Sequence, residues 1–441
     1  MFKTSYNEAD ILSADNTGVP IALIQDWYDL APHLNLQPYQ LSYAKRNKAD
    51  MQKKIILKKG KETRVVYKSS GTLQRVQNRQ RAFLCSMEND ILGDAAIAYR
   101  KGMNPLNNMI AKLEHSRYLV TFDIVKYYDH VTYKHIKETL MDIGFPRLGS
   151  QLMSDFATVK RAVGKENKHT ISTLQQGSKS SPVLSNLVGN KYIDRVVQDW
   201  IDKTGPAYPD ISMGFVRYSD NIALSIDAPD NVTIPIELIQ NFKQHIKETL
   251  FKSGFRTHKW ATIPRTHPKR NQQFLGVVLN KKARIDNVKF DEWRATLFNA
   301  CRSSIRVAAE KYYKNCVEEK NIDARDLHSQ VELFMMVMKG RIAYIKSISK
   351  SQHTQLEKLL CAAEYLNNTG IYIRMIVDRS QAPPEKKDWV SLREITEGSI
   401  EMLKIPSEEV MTAVKRYKYK EESLVEYLNN VKAAVTKVLV A

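Results

Sequence analysis

Two periodicities alternate through the middle of the chain. Tyr118-Leu119-Val120-Thr121-Phe122-Asp123-Ile124 is an apolar run of strand length, whereas residues 133–143 repeat apolar positions at helical spacing up to Gly144 and Pro146. Beyond Ser181-Pro182, the residues Val183, Leu184, Leu187, Val188, Ile193, Val196, Val197, Trp200 and Ile201 keep three-to-four spacing, which predicts one long helix ending near Gly205. Phe215 to Ile226 reads as a hairpin whose polar tip is Tyr218-Ser219-Asp220-Asn221. Ile236, Ile239, Phe242, Ile246 and Leu250 predict a further helix, closed by Ser253-Gly254. From Asp291 strand signals fade, and the chain to about Leu366 predicts two or three helices. A break at Gln381-Ala382-Pro383-Pro384 precedes a helical tail from Ser391 to Val440, opened by a capping box of Ser391 and Glu394.

Composition narrows the classes. The 441 residues carry 67 Lys and Arg against 48 Asp and Glu, a net charge of +19, so a polyanion is the expected partner, nucleic acid before an anionic membrane surface. A hydrophobic content of 43% with only 17 Gly and 15 Pro indicates packed cores and excludes a disordered basic tail. The charge is concentrated. Lys45 to Arg81 holds 13 basic residues against two acids, and Lys252 to Lys289 holds ten against one. Both runs are interleaved with strand-like residues (Ile55-Ile56-Leu57, Val65-Val66-Tyr67 and Phe274 to Leu279), which predicts basic strands in a folded domain. The four cysteines form no C-x-x-C pair, the N-terminal residues lack a signal-peptide pattern, and no window approaches ~18 apolar residues. A cytoplasmic protein without a membrane partner is the expectation.

Two aspartates stand out, Asp123 at the end of an apolar strand and Asp220 at a hairpin tip. Phosphoryl transfer calls for hard cations held by carboxylates on rigid neighbouring elements. A lone aspartate at such a place is more often a cap or turn former. Between the two lies Gln175-Gln176-Gly177-Ser178-Lys179-Ser180-Ser181-Pro182, a polar glycine loop before a helix, suited by its amides to lie against a base pair or phosphate.

In order over roughly Arg64 to Lys350, the chain resembles the reverse transcriptases. Phe122-Asp123-Ile124-Val125-Lys126-Tyr127-Tyr128-Asp129 resembles their first catalytic motif, Gln176-Gly177-x-x-x-Ser181-Pro182 the template-gripping motif, and Phe215-Val216-Arg217-Tyr218-Ser219-Asp220-Asn221 the Y-x-D-D hairpin. Phe274-Leu275-Gly276 resembles the primer-grip strand, Arg64-Val65-Val66 the basic fingers strand, and Lys339 to Ile345 a thumb segment. The resemblance implies an α+β right-hand polymerase fold: N-terminal region and fingers over 1–110, palm with an antiparallel sheet over 111–290, α-helical thumb over 291–370 and helical C-terminal extension over 371–441. It implies a catalytic group of Asp123, Asp220 and Asn221, with two Mg2+ ions (Mn2+ as the substitute) on Asp123, Asp220 and the Ile124 carbonyl. Arg64 and Lys61 would hold a deoxynucleoside triphosphate from above, Tyr128 would lie beneath its sugar and reject a 2′-hydroxyl, and Gln176, Gly177 and Lys259 would complete the nucleotide site. Ser181, Pro182, Tyr218, Phe274, Leu275 and Gly276 would face primer and template.

Two departures accompany the matches. The second hairpin aspartate of the family is Asn221, which removes a negative charge near the metals and implies weakened or manganese-favouring catalysis. The lysine that usually precedes a threonine in the following motif is displaced, Ala261 standing in its place with Lys259 two residues earlier. The chain lacks a Cys/His endonuclease pattern and has Phe-Leu-Gly where retron enzymes usually read V-T-G, so it looks like the stand-alone, defence-associated or abortive-infection reverse transcriptases of bacteria. The expected partners are an RNA template or non-coding RNA, a DNA product and a protein or second copy bound through the C-terminal helices. A silent polymerase fold that serves as an RNA- or partner-binding scaffold is the alternative, and Asn221 is its motivation.

Overall fold

The structure, a computed structural model, describes residues 20–59, 62–163, 169–320 and 327–369. Lys61 and the tail with Ser391, Glu394, Tyr417 and Tyr419 lie outside the described residues. The chain divides into two units, 1–282 and 283–441.

In the first unit, helices α1 (Trp27–His33) and α2 (Pro38–Arg46) precede a hairpin of β1 (Gln52–Lys59) and β2 (Glu62–Ser69). There follow α3 (Gly71–Ile91), α4 (Pro105–Leu113), β3 (Tyr118–Ile124), the single turn α5 (Tyr127–His130), α6 (Tyr133–Asp142) and α7 (Arg147–Ala157), then a second hairpin of β4 (Thr158–Val163) and β5 (His169–Leu174). Next come α8 (Ser181–Gly189), a π turn (Asn190–Asp194), α9 (Arg195–Thr204), β6 (Ser212–Tyr218), β7 (Asn221–Asp227), α10 (Ile236–Lys252), β8 (Thr257–Pro264), β9 (Gln273–Phe274) and β10 (Val277–Val278).

The main sheet is antiparallel in the order β6-β7-β3-β8. Alternation along its strands sorts the faces. Phe122 of β3 packs against α10 through Phe242, ring centroids 6.4 Å apart, and stacks on Trp260 of β8 at 4.2 Å. Val120, Ile124, Ile222, Leu224 and Ile226 join the same core with Leu238, Ile246 and Leu250 of α10. Asp123, one residue out of phase with Phe122, is thereby presented on the opposite face.

Two elements differ from the expectation. The predicted helix from Val183 to Gly205 is broken by the π turn at residues 190–194, because the buried Asp194 in that turn reaches Arg217. The run Phe274 to Leu279, read as one strand, is a tight hairpin: Phe274 pairs with Val277, and Leu275 and Gly276 both have left-handed backbones, φ 49° and 80°. Two positive φ values at the centre of a two-residue loop match the twist of antiparallel strands.

The second unit opens with β11 (Arg284–Ile285) and contains α11 (Asn287–Ser303), α12 (Ile305–Lys320), α13 (Leu327–Lys346) and α14 (Lys350–Thr369). Phe290, Leu297, Phe334, Met338, Ile345 and Leu356 are among its own core residues. Gln352 secures β11, donating to the Ile285 carbonyl at 3.1 Å and accepting from the Ile285 amide at 2.8 Å.

Candidate active site

Tyr218 pairs with Asn221 across a two-residue turn, so Ser219 and Asp220 are the tip itself. Ser219 has φ 59°, the positive first position such a turn requires and one usually given to glycine. The Ile124 amide donates to the Asp220 carbonyl at 2.9 Å, and Asp123 lies directly opposite Asn221 on β7. The two aspartates of the sequence reading are thus brought together at one end of the sheet. Burial raises the Asp220 carboxyl above its ordinary value and the charge of Asp123 adds to that, while Arg64 and Lys259 oppose it. Arg64, exposed on β2, is therefore electrostatically part of the site.

Asn221 does not present its oxygen alone. Its amide nitrogen donates to Asp220 Oδ1 at 3.1 Å, so the amide occupies a lone pair of the carboxylate. Lys259 is delivered by a bulge. Thr121 pairs with Ala261 but Asp123 with His258, so β8 carries one extra residue, and Lys259 in it has φ 53°. That turn of the backbone brings Lys259 Nζ within 3.2 Å of Asp123 Oδ2. The displaced lysine is in this way returned to the carboxylates.

The glycine loop meets the β1–β2 hairpin. The Tyr67 amide donates to the Gln176 carbonyl at 2.8 Å, and a Cβ on Gly177, whose φ is 107°, would lie 2.8 Å from the Tyr67 carbonyl oxygen. Ser181 is buried and its hydroxyl donates to the Gln175 carbonyl at 2.5 Å, while Pro182 sits in the first turn of α8, where a missing amide costs nothing. Tyr127 is wholly buried with its hydroxyl on the Ser185 carbonyl at 2.7 Å; Tyr128 is half-buried, 3.4 Å from the Ser185 hydroxyl. Burial pushes the Tyr128 hydroxyl up to about 12, keeping it neutral. Tyr218 lies against Tyr99, ring centroids 5.8 Å apart, and Phe274 is buried.

Sequence reasoning missed three residues that hold this arrangement. Gln175 is fully buried and bonds to Gln52, Gln77, Tyr67 and Ser69. Arg217 is fully buried on β6 and paired with Asp194 at 2.6 and 2.8 Å. The available signal for Arg217 was a charge inside the apolar strand Phe215-Val216-Arg217.

Two neighbouring carboxylates are hard oxygen donors of the kind Mg2+ and Mn2+ prefer, and a cation would relieve the repulsion that adds to the lift of Asp220, so the residues fit a divalent ion. Among the described residues no group of three or more His, Cys, Asp or Glu could hold a metal. Among the described residues, too, no helix is long and apolar enough to cross a membrane.

No curated protein matches the chain. It is similar to the solved structure of apo telomerase from Candida tropicalis, truncated from its C-terminal domain, at 14% identity and TM-score 0.37, over 53% of this chain and 55% of that one. It is similar also to telomerase from Candida albicans in complex with a TWJ fragment of telomeric RNA, at 11% identity and TM-score 0.38, over 86% of this chain and 66% of that one. The chain thus spans between half and two thirds of those two proteins, and at such low TM-scores neither likeness adds to the sequence evidence. That evidence is direct: residues 56–279, just over half of the chain and the stretch that contains Asp123, the glycine loop, Asp220 and Lys259, match the family model of reverse transcriptase (RNA-dependent DNA polymerase), and the chain belongs to that family of nucleotidyltransferases.

Proposed function

We propose that the protein is an active RNA-directed DNA polymerase that extends a primer with deoxynucleotides. The observation that carries this reading is the meeting of Asp123 and Asp220 at one end of the sheet, with Lys259 3.2 Å from the first of them. In this reading the main sheet is the palm, the β1–β2 and β4–β5 hairpins belong to the fingers, and the helices of the second unit form the thumb. The reaction forms a bond from the primer 3′-oxygen to the α-phosphorus of the triphosphate and breaks the bond to pyrophosphate, while the primer hydroxyl gives up its proton. Asp123, Asp220 and the Ile124 carbonyl would hold two divalent ions, which would lower the pKa of the attacking hydroxyl and neutralise the leaving pyrophosphate. Arg64 would pair with triphosphate oxygens through its guanidinium fork, and Lys259 would stand near the reacting phosphates as a proton donor. Tyr128, neutral and held by Ser185, would form the floor under the sugar.

The test is incorporation of labelled deoxynucleotides on a primed RNA template with Mg2+ or Mn2+, beside Asp220→Asn. Product that depends on Asp220 is expected, and undiminished product in the variant would refute the reading. The hydrogen bond from Asn221 to Asp220 favours one alternative, a scaffold that binds RNA without turnover, for which tight binding with no product under either metal is the signature. The bacterial, defence-associated reading belongs with this proposal and rests on the lack of a Cys/His endonuclease pattern in this sequence and on the Phe274-Leu275-Gly276 departure from retron enzymes. Phage plating on cells with and without the intact protein tests it, equal plating counting against it.

A further inference from the structure

The guanidinium of Arg217 has five N–H donors, and the structure supplies an acceptor for each. Nε donates to Asp194 Oδ1 at 2.6 Å and Nη2 to Asp194 Oδ2 at 2.8 Å. Nη2 donates also to the Asn186 carbonyl at 3.1 Å, and Nη1 to Asn186 Oδ1 at 3.2 Å. The remaining Nη1 hydrogen goes to the Ser219 carbonyl at 3.3 Å. Asn186 itself is buried and bonds through its amide nitrogen to the Ala98 carbonyl. The backbone of Arg217 is equally committed: its amide donates to the Ala95 carbonyl at 2.7 Å and its carbonyl accepts from Ile97 at 3.0 Å. The guanidinium lies so close over Gly189 that a Cβ there would stand 2.5 Å from Cζ.

Such a cluster is a poor source of raw stability, since a buried ion pair scarcely outweighs its desolvation. Its geometry indicates another use. Ser219 is the residue whose left-handed backbone turns the chain so that Asp220 stands at the tip, and a non-glycine residue resists that conformation. We infer that Arg217, fixed by Asp194 and Asn186, is a positioning residue that holds Ser219 in its left-handed turn through the Ser219 carbonyl and so presents the Asp220 carboxylate for metal binding. The inference rests on the polymerase reading for its consequence in catalysis, but its structural content does not.

Arg217→Lys keeps the charge and loses the fork. A lost charge-assisted hydrogen bond corresponds to roughly a ten- to hundredfold effect. Hydrogen exchange of the full-length protein is then expected to quicken by that factor at Tyr218 to Asn221 and at Ile124, whose amide is held by the Asp220 carbonyl, while the rest of β3 and β8 keep their protection. The Mn2+ concentration that half-saturates the protein, read by electron paramagnetic resonance of bound Mn2+, is expected to rise in the same proportion, with affinity for a primed RNA duplex unchanged. Ser219→Gly removes the steric objection to the turn, so adding it to Arg217→Lys is expected to recover most of the loss. Uniformly faster exchange across the sheet, an unchanged tip, or no recovery with Ser219→Gly would each overturn the inference. If Arg217→Lys does not fold, Asp194→Glu carries the same test, because it keeps the ion pair and shifts the guanidinium away from Ser219. Wild-type protein that makes no product refutes the polymerase reading alone, and the exchange comparison still decides this one.

Discussion

Replacing Gln175 by leucine isolates the junction between the glycine loop and the β1–β2 hairpin. Gln175 is fully buried; its Oε1 accepts from Gln52 Nε2 at 2.7 Å and Gln77 Nε2 at 3.0 Å, and its Nε2 donates to the Tyr67 carbonyl at 3.0 Å and the Ser69 hydroxyl at 2.7 Å. Gln77 retains the Phe156 carbonyl at 2.9 Å and Gln52 the Thr158 carbonyl at 3.4 Å, so the cost falls mainly on Tyr67 and Ser69. At about 1–2 kcal/mol for each buried group left without its partner, the predicted loss is about 2–4 kcal/mol. With roughly 2–4 °C per kcal/mol for a unit of this size, calorimetry should show a melting transition lower by about 4–16 °C. A fall of under about 2 °C would refute the argument. Gln175→Glu tests the orientation of the amide. Its carboxyl can donate to the Tyr67 carbonyl only when protonated, and burial raises its folded pKa above the unfolded ~4.3. The proton is thus bound more tightly in the folded state, so the variant is most stable below about pH 4.3 and loses stability as pH rises through the folded pKa. A pH-independent difference from wild type would refute the argument.

Three further outcomes are expected. Asn221→Asp places a carboxylate directly opposite Asp123 and replaces a donor to Asp220 by a repelling charge; without metal the protein should melt lower, and added Mg2+ should raise its melting temperature more than it raises that of wild type, equal shifts refuting the prediction. Gly177→Ala meets the Tyr67 carbonyl at 2.8 Å in a left-handed backbone, so a loss of about 1–3 kcal/mol is predicted in urea unfolding. Burial lowers Lys48 to about 8, so between that pH and the unfolded value near 10.4 the unfolded chain holds the extra proton; the stability of wild type relative to Lys48→Met should therefore rise with pH across that window, by at most about 1.4 kcal/mol per unit. Paired urea titrations at pH 7.5 and 10 check this, and a constant difference would contradict it.

What the sequence made legible follows from where its information is local. Asp123 and Asp220 could be found because each lies at the end of an apolar stretch, and the hairpin tip could be placed within Tyr218 to Asn221 because those polar residues interrupt two apolar arms. The Lys259 bulge was not legible, since an extra residue in β8 is defined only by its pairing with β3. The Phe274 hairpin was read as a strand because Leu275, an apolar residue, adopts a left-handed backbone that its side chain gives no reason to expect. Gln175 was passed over beside Gln176, although its side chain is the one that joins the glycine loop to β1, β2 and α3. The buried pair of Arg217 and Asp194 joins residues 23 apart through a helix irregularity, and apolar spacing carries no trace of such a contact.

The π turn at residues 190–194 has a consequence for how this helix tolerates change in length. A π turn is in effect one residue added to an α-helix, and one residue is about 100° of rotation. Everything after Asn190 is therefore turned by that angle relative to α8, which lets Asp194 face Arg217 while Val197 and Trp200 still face the core. Removing a single residue from this turn would leave composition and helical propensity almost untouched. It would nevertheless swing the carboxylate out of line with its partner, so along this stretch the protein is more sensitive to the count of its residues than to their kind.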